Sequence, residues 1–542
     1  MAVSPIYRQL LALLLLPTLG ALAAPNVVNT GYASYRGNLS FPNTVAYLGI
    51  PYAEPPLGNL RFRAPLPLDT GRVKKAAGGK VVDATQYPEF CVQGSTGNGD
   101  AGGAGSEDCL KVNVYTPANV QAGDDLPVLV YIHGGGYIYG NPRNWPFDPW
   151  VHQSPDVVIV SVYYRLSAFG FLSTPEFSNS ANGDFNVGFQ DQIEALKWVQ
   201  SNIHAFGGDK NKVTINGESA GGASVELHSI ANVHPNFQGI IAQSVYRTPL
   251  AHPAQRAAQF QLFATQAGCG TGSVKSQLAC LRSASVSALA RAQDFVSYNA
   301  NTTGYKLFQP VVDGKIFLDY PTKLITEGKI ANVPIIVGST SNETLSGGTI
   351  TSALLAFFPS YTNKTVQGIV NQYPLSDFAS AALQFQAGTG EPELLCARHI
   401  IGTAASKKNK AWTYRYNQAN PTGNPGLTRV DHAAENWMMF QGSNTGTNGT
   451  GTFSAQTPVE LAFTRELIAY WLSFVRSGNP NTHKLHTSPN WPQFSSAQKN
   501  RIVLQQNRAN DTTKTGSFLE VQSDEETERC QFVVGQVAVQ QA

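Results

Sequence analysis

The residue types most able to do chemistry sit in one stretch, Thr214-Ile215-Asn216-Gly217-Glu218-Ser219-Ala220-Gly221-Gly222. Its centre is Gly217-x-Ser219-x-Gly221, the only G-x-S-x-G in the chain. An apolar β-branched run enters it and a helix-compatible run, Ala223 to His228, leaves it. A serine on a sharp strand-to-helix turn has its oxygen exposed in a strained backbone, and glycines two residues away avoid collisions with neighbouring chain. Such a turn also opens a helix, so unbonded N–H groups face the place where an oxyanion would form. Ser219 is therefore the expected nucleophile.

A second stretch supplies the complementary chemistry. In Tyr131-Ile132-His133-Gly134-Gly135-Gly136-Tyr137, three glycines follow an apolar strand directly. Backbone without side chains can approach a ligand closely and present N–H groups to it. Gly135 and Gly136, with Ala220 from the serine turn, are the expected oxyanion donors.

The elements that must position these groups are legible from periodicity. Val128 to Ile132, Val157 to Val162, Val213 to Ile215, Gly239 to Gln243, Val333 to Val337 and Trp412 to Tyr416 read as buried strands. Helical spacing appears over Gln190 to His204 and Val459 to Val475. Near-continuous apolar strands alternating with helices imply an α/β fold, a large mostly parallel central sheet with helices on both faces. No linker, repeat or low-complexity break divides the chain, so residues 24–542 are expected to form one domain. Arg61 and Glu107 each stand beside apolar strand residues and are expected to pair inside.

Composition narrows the class. The 542 residues carry a formal net charge of only +2, which points to neither nucleic acid nor a charged membrane surface. Residues 1–23 combine Arg8, a leucine-rich run and Ala21-Leu22-Ala23, the pattern of a secretory signal peptide cleaved after Ala23. That run is too short for a comfortable membrane span, and no stable anchor is expected. Six cysteines in a secreted chain suggest three disulfides. Cys91 is near Cys109 and Cys269 near Cys280, which leaves Cys396 with Cys530, although sequence alone leaves the connectivity open. Asn38, Asn301, Asn363, Asn448 and Asn510 stand in glycosylation sequons.

The chain resembles the type-B carboxylesterase/lipase family of α/β-hydrolases. The resemblance rests on Gly217 to Gly222, Glu107-Asp108-Cys109-Leu110 with Asn113-Val114, Gly134-Gly135-Gly136, Tyr164 to Leu172, Gly188 to Gln192 and Ala205 to Asp209. It implies an α/β-hydrolase fold, the three cysteine pairs named above, and a Ser, Glu, His triad in that chain order. An acid should follow a strand after Ser219. Ser341-Asn342-Glu343-Thr344 does so, and the resemblance places the triad glutamate at Glu343; Asp313, followed by Gly314, reads better as a turn. Among the later histidines, His399 lies in a helix-like run and His483 and His486 in polar loop sequence. His432 matches the family's catalytic histidine, with Ala433 where many relatives have glycine. Glu435 and Ser244 match groups expected to support the triad, and Glu218 adjoins the nucleophile.

The implied reaction is acyl transfer from a small-molecule ester through Ser219, with no metal and no organic cofactor. Asn342 also stands in a sequon, but a glycan beside Glu343 would crowd the site, so Asn342 is expected unmodified. The Cys91–Cys109 segment is short and glycine-rich, unlike the apolar flap of the family's lipases, which favours an esterase over an interfacial lipase. Non-catalytic binding relatives lose triad members, whereas this chain retains all three. Tyr137 and Trp437 are expected beside the pocket.

Overall fold

In the computed structural model, residues 26–95, 103–233, 236–298, 305–423, 429–445 and 450–542 are described. The signal-peptide reading, Asn301, Asn448 and part of the Cys91–Cys109 segment fall outside them.

The apolar runs form a 13-stranded mixed sheet. Seven successive neighbours are parallel, in the order Val158–Val162, Leu126–Ile132, Gly208–Glu218, Gly239–Gln243, Ile335–Thr340, Ala411–Tyr416 and Asn500–Leu504. Antiparallel strands extend both ends: Lys111–Pro117 on one side and Phe518–Val521 on the other. The parallel character expected from sequence is thus concentrated in the central block.

Strand side chains alternate between faces, so a continuous apolar run is needed where both faces are covered. Val128, Val130 and Ile132 join one core, with Ile193, Leu196 and Val199 of helix Val187–Asn202. Their neighbours Leu129 and Tyr131 join the opposite core, with Phe463, Leu467 and Trp471 of helix Pro458–Ser477. The latter helix starts where expected for a local reason: Thr457 and Glu460 form a reciprocal capping box, and Gly478 ends it at φ 64°. Full burial of one such aliphatic or aromatic side chain stabilises by about 1.5–3 kcal/mol, so each face is held by many comparable contributions.

Three disulfides join Cys91 to Cys109, Cys269 to Cys280 and Cys396 to Cys530. The Cys91–Cys109 segment is held down in its described part: Gln93 donates from its backbone to the Ala104 carbonyl, and its buried amide bonds the Gly140 backbone in both directions.

Arg61 and Glu107 form the expected pair. Arg61 Nε donates to Glu107 Oε1 at 2.6 Å and Nη2 to Oε2 at 2.7 Å. Nη1 additionally donates to the carbonyls of Leu281, Arg282 and Ala284, so one guanidinium ties three distant segments together. Losing the arginine would leave a largely buried carboxylate without its counter-charge. Arg61→Met is expected to lower stability by about 3–5 kcal/mol, read as a fall in the thermal midpoint and in secreted yield; an unchanged midpoint would contradict this role.

Candidate active site

The serine turn is built as its glycines require. Strand Gly208–Glu218 ends against helix Ala220–Ile230, and Ser219 between them has φ 59° and ψ −121°. This is a sparsely populated region for a residue with a β-carbon, at a cost of about 1–3 kcal/mol. Glycine is needed around it: a β-carbon on Gly221 would lie 2.1 Å from the Ile132 carbonyl oxygen, and one on Gly217 2.4 Å from the Gly221 backbone. The Ser219 N–H donates to the Gln243 carbonyl, and the Ser219 carbonyl accepts from Ala223 and Tyr246.

His432 and Glu343 arrive from distant parts of the sheet. His432 Nε2 lies 2.8 Å from Ser219 Oγ, and Nδ1 lies 2.6 Å from Glu343 Oε2. Glu343 follows strand Ile335–Thr340, and its other oxygen accepts the Thr340 N–H at 2.6 Å. Glu343 is fully buried, whereas the His432 side chain is 17% exposed. The serine, acid and histidine named from sequence therefore meet in one hydrogen-bonded line. The alternatives do not: Asp313 caps the backbone N–H groups of Lys315, Ile316 and Phe317, His399 contacts Gln522, and His483 and His486 are exposed.

Gly135 and Gly136 adopt φ 101° and 64°, conformations that favour glycine. The loop passes tightly under the serine: a β-carbon on Gly134 would stand 3.0 Å from that of Ser219. Among the described residues, the N–H groups of Gly135, Gly136 and Ala220 have no hydrogen-bond acceptor. The preceding His133 is buried between the rings of Trp145 and Tyr164, and burial pulls its pKa down to about 4, so it is neutral.

Several carboxyl groups crowd the imidazole. Glu218 Oε1 is 3.4 Å from His432 Nε2, and its Oε2 accepts from Asn436 at 2.8 Å. Glu435 accepts from Ser244 and Tyr414. Glu393 accepts the Leu345 N–H. Burial pushes Glu218 up to about 8, Glu393 to about 8 and Glu435 to about 7. Burial also opposes ionisation of Glu343, but the His432 charge, the His432 hydrogen bond and other donors outweigh it and hold its carboxyl below the usual range. For His432, burial favours the neutral ring, yet Glu343 and then Glu218 outweigh that and raise its pKa.

Sequence reasoning missed Asn436, Glu393 and Tyr414, whose residue types give no local sign of a catalytic neighbourhood. Ser244, expected to support Glu343, donates to Glu435 Oε1 at 3.1 Å, and its hydroxyl is also among the groups that hold the Glu343 carboxyl below its usual range. One expectation is corrected. Tyr137 is no open pocket wall: it is fully buried, edge-on to Phe171, with its hydroxyl accepting from Ser224. Trp437 is also buried, donating to Ser454. Asn342 is 5% exposed, with its amide nitrogen on Asp431, which leaves little room for a glycan. Asn363 and Asn510 are exposed, and Asn38 is half-buried in a strand.

Comparison with known proteins decides the family. A family model described as the carboxylesterase family matches residues 24–354 and 361–533. The chain belongs to the carboxylesterase family. Acetylcholinesterase of Electrophorus electricus is 30% identical over 85% of this chain and 81% of its own length. Lipase 5 of Diutina rugosa is 37% identical, over 55% of this chain and 58% of that protein. The crystal structure of Aspergillus niger EstA superposes with a TM-score of 0.81 at 27% identity, covering 96% of this chain and 99% of that one. By family, this carboxylesterase is a carboxylic ester hydrolase acting on small-molecule esters. Among the described residues, no helix is long and apolar enough to cross a membrane.

Within the site, Ala433 stands at φ 63° and ψ 13°, immediately after His432. Left-handed backbone costs a residue with a β-carbon roughly 1–2 kcal/mol, part of which glycine regains. Ala433→Gly is expected to stabilise the fold by up to about 1 kcal/mol, measured as a raised thermal midpoint; a lowered midpoint would show that the alanine methyl is needed for packing.

Proposed function

We propose that this carboxylesterase is a secreted serine esterase, one catalytic domain over residues 24–542, which hydrolyses esters through an acyl-enzyme on Ser219. The unbroken hydrogen-bonded line from Ser219 through His432 to Glu343 is the observation that carries the reading. His432 takes the serine proton as Oγ attacks the ester carbonyl. The N–H groups of Gly135, Gly136 and Ala220 receive the oxyanion, and Glu343 fixes the imidazole tautomer and stabilises its charged form. His432 then protonates the departing alcohol, and water activated by the same ring releases the acid from Ser219. The three disulfides, the apolar segment at residues 1–23 and the exposed sequons support secretion.

A second reading is an interfacial lipase, favoured by the identity to Lipase 5. The short, glycine-rich sequence of the Cys91–Cys109 segment, bonded to Gly140 through Gln93 in its described part, speaks against it. Hydrolysis of nitrophenyl esters of increasing acyl length, followed across the solubility limit, separates the two: an esterase shows no jump in rate when substrate aggregates. Ser219→Ala is expected to cut kcat by about four orders of magnitude or more; substantial residual turnover would exclude Ser219 as the nucleophile.

The raised pKa of His432 fixes the sign of a pH effect. Its charged form, which cannot act as base, persists to higher pH than an ordinary histidine's. The acid limb of kcat/KM is therefore expected above the ordinary histidine value of about 6.5. Glu218→Gln removes one group that raises His432 and is expected to move that limb down by up to about one pH unit. An unmoved limb would show that Glu218 does not tune the base.

A further inference from the structure

Beside the serine turn lies a cavity of about 400 Å³ whose charge is one-sided. Its walls include Tyr246, Arg256, Tyr305, Lys306, Gln309 and Leu345. Its wall is one residue removed from the site: the N–H of the lining residue Tyr246 donates to the Ser219 carbonyl, and the lining residue Leu345 follows Glu343 by two. Among the described residues, two cations and no carboxylate line it.

Arg256 is the unusual group. Its side chain is buried, 1% exposed, and no carboxylate lies within ion-pair distance among the described residues. Nη1 donates to the carbonyl of Leu307 and the side chain of Gln259, and the guanidinium lies over the Tyr305 ring at 4.5 Å. Among the described residues, Nε and Nη2, the edge that takes a carboxylate side-on, are buried without a hydrogen-bond partner. Elsewhere this protein closes that same edge with one carboxylate: Arg61 with Glu107, Arg165 with Asp191, Arg415 with Glu520 and Arg529 with Glu391. Burial pulls the Arg256 pKa down to about 10, which still leaves it charged at neutral pH.

A buried charge normally carries a counter-charge. Here the described residues supply none within ion-pair distance, and the field of Arg256 reaches the cavity through a low-dielectric wall. Lys306 adds a second, exposed cation with no ion-pair partner among the described residues. The Tyr246 hydroxyl accepts from Gln309 and keeps its own proton to donate. Of the nearest acids, Asp294 accepts the N–H of the lining residue Ser95 and does not itself line the cavity, and Glu393, bonded to the Leu345 N–H, is held largely neutral by burial.

The geometry points to an anion subsite for the acyl chain: the preferred substrates are esters whose acyl group ends in a carboxylate, half-esters of dicarboxylic acids. The acyl side follows from the lining. His432 must face the leaving alcohol, and none of the cavity's described lining comes from the His432 segment. The inference rests on the acyl-enzyme reading of Ser219 and deepens it.

The test compares 4-nitrophenyl hydrogen adipate with 4-nitrophenyl hexanoate, esters of matched chain length with and without the terminal carboxylate. The wild-type ratio of kcat/KM, charged over neutral, is expected to be about tenfold or more. Arg256→Met and Lys306→Met are each expected to lower that ratio several-fold. Lys306 is exposed, so its variant keeps the test open if Arg256→Met does not fold. A wild-type ratio of one or below, or a ratio unchanged in Lys306→Met and in any folded Arg256→Met, overturns the proposal. Calorimetric titration with adipate reads the subsite without catalysis. Binding that weakens in Lys306→Met, together with no hydrolysis of either ester, would refute the Ser219 reading while sparing the anion subsite. Hydrolysis without adipate binding would do the reverse.

Discussion

The structure depends on one strained turn. Ser219 sits at φ 59° between a central strand and the helix that follows it, a conformation that the chain alone would not favour. The sheet enforces it. Register between Glu218 and Gln243, and between Gly217 and Ile132, fixes the strand end, while Gln243, Ala223 and Tyr246 bond the serine backbone on both sides. Close packing leaves no room for β-carbons at Gly217 and Gly221. The strain holds Oγ proud of the sheet and directs the first N–H of the helix to the same point. The large two-faced core is what makes that strain sustainable, because its burial is spread over many strands on both sides.

The second constraint is electrostatic. Glu218, Glu343, Glu393 and Glu435 all lie near one imidazole in a dry interior. Several adjacent carboxylates cannot all ionise there, and the hydrogen bonds decide which one does. Glu343 has His432 on one oxygen and the Thr340 N–H on the other. Its neighbours have fewer charged partners, and burial keeps them more nearly neutral. Negative charge is thus concentrated on the one carboxylate that touches the imidazole, and this favours the charged ring. Asn436 takes one oxygen of Glu218, and Ser244 and Tyr414 share one oxygen of Glu435, while the second oxygen of Glu218 still faces the ring.

Much of this was legible in the sequence, for local reasons. The strands Val128 to Ile132 and Gly239 to Gln243 announced themselves by unbroken apolar runs, and helix Pro458–Ser477 by its spacing over Val459 to Val475. The glycine spelling of the serine turn and of Gly134 to Gly136 reports backbone crowding directly. Parallelism was less legible: periodicity signals burial on both faces, but the antiparallel flanks arise from how strand ends meet. Tyr137 misled because its place beside the glycine loop says nothing about which way its ring turns, and it turns into the core.

By itself the sequence determined the segments, their turns and a short set of groups able to attack, hold an oxyanion or carry a proton, because those properties depend on neighbours within a few residues. The tertiary structure decided which of them act together. Ser219 and His432 are 213 residues apart, and His432 and Glu343 are 89 apart, so their contacts depend on strand order and register. It also decided charge. Arg256 reads in sequence as an ordinary residue before a helix, and only packing shows it buried without an acid; burial and partners beyond the reach of local pattern set the ionisation of every group in the site.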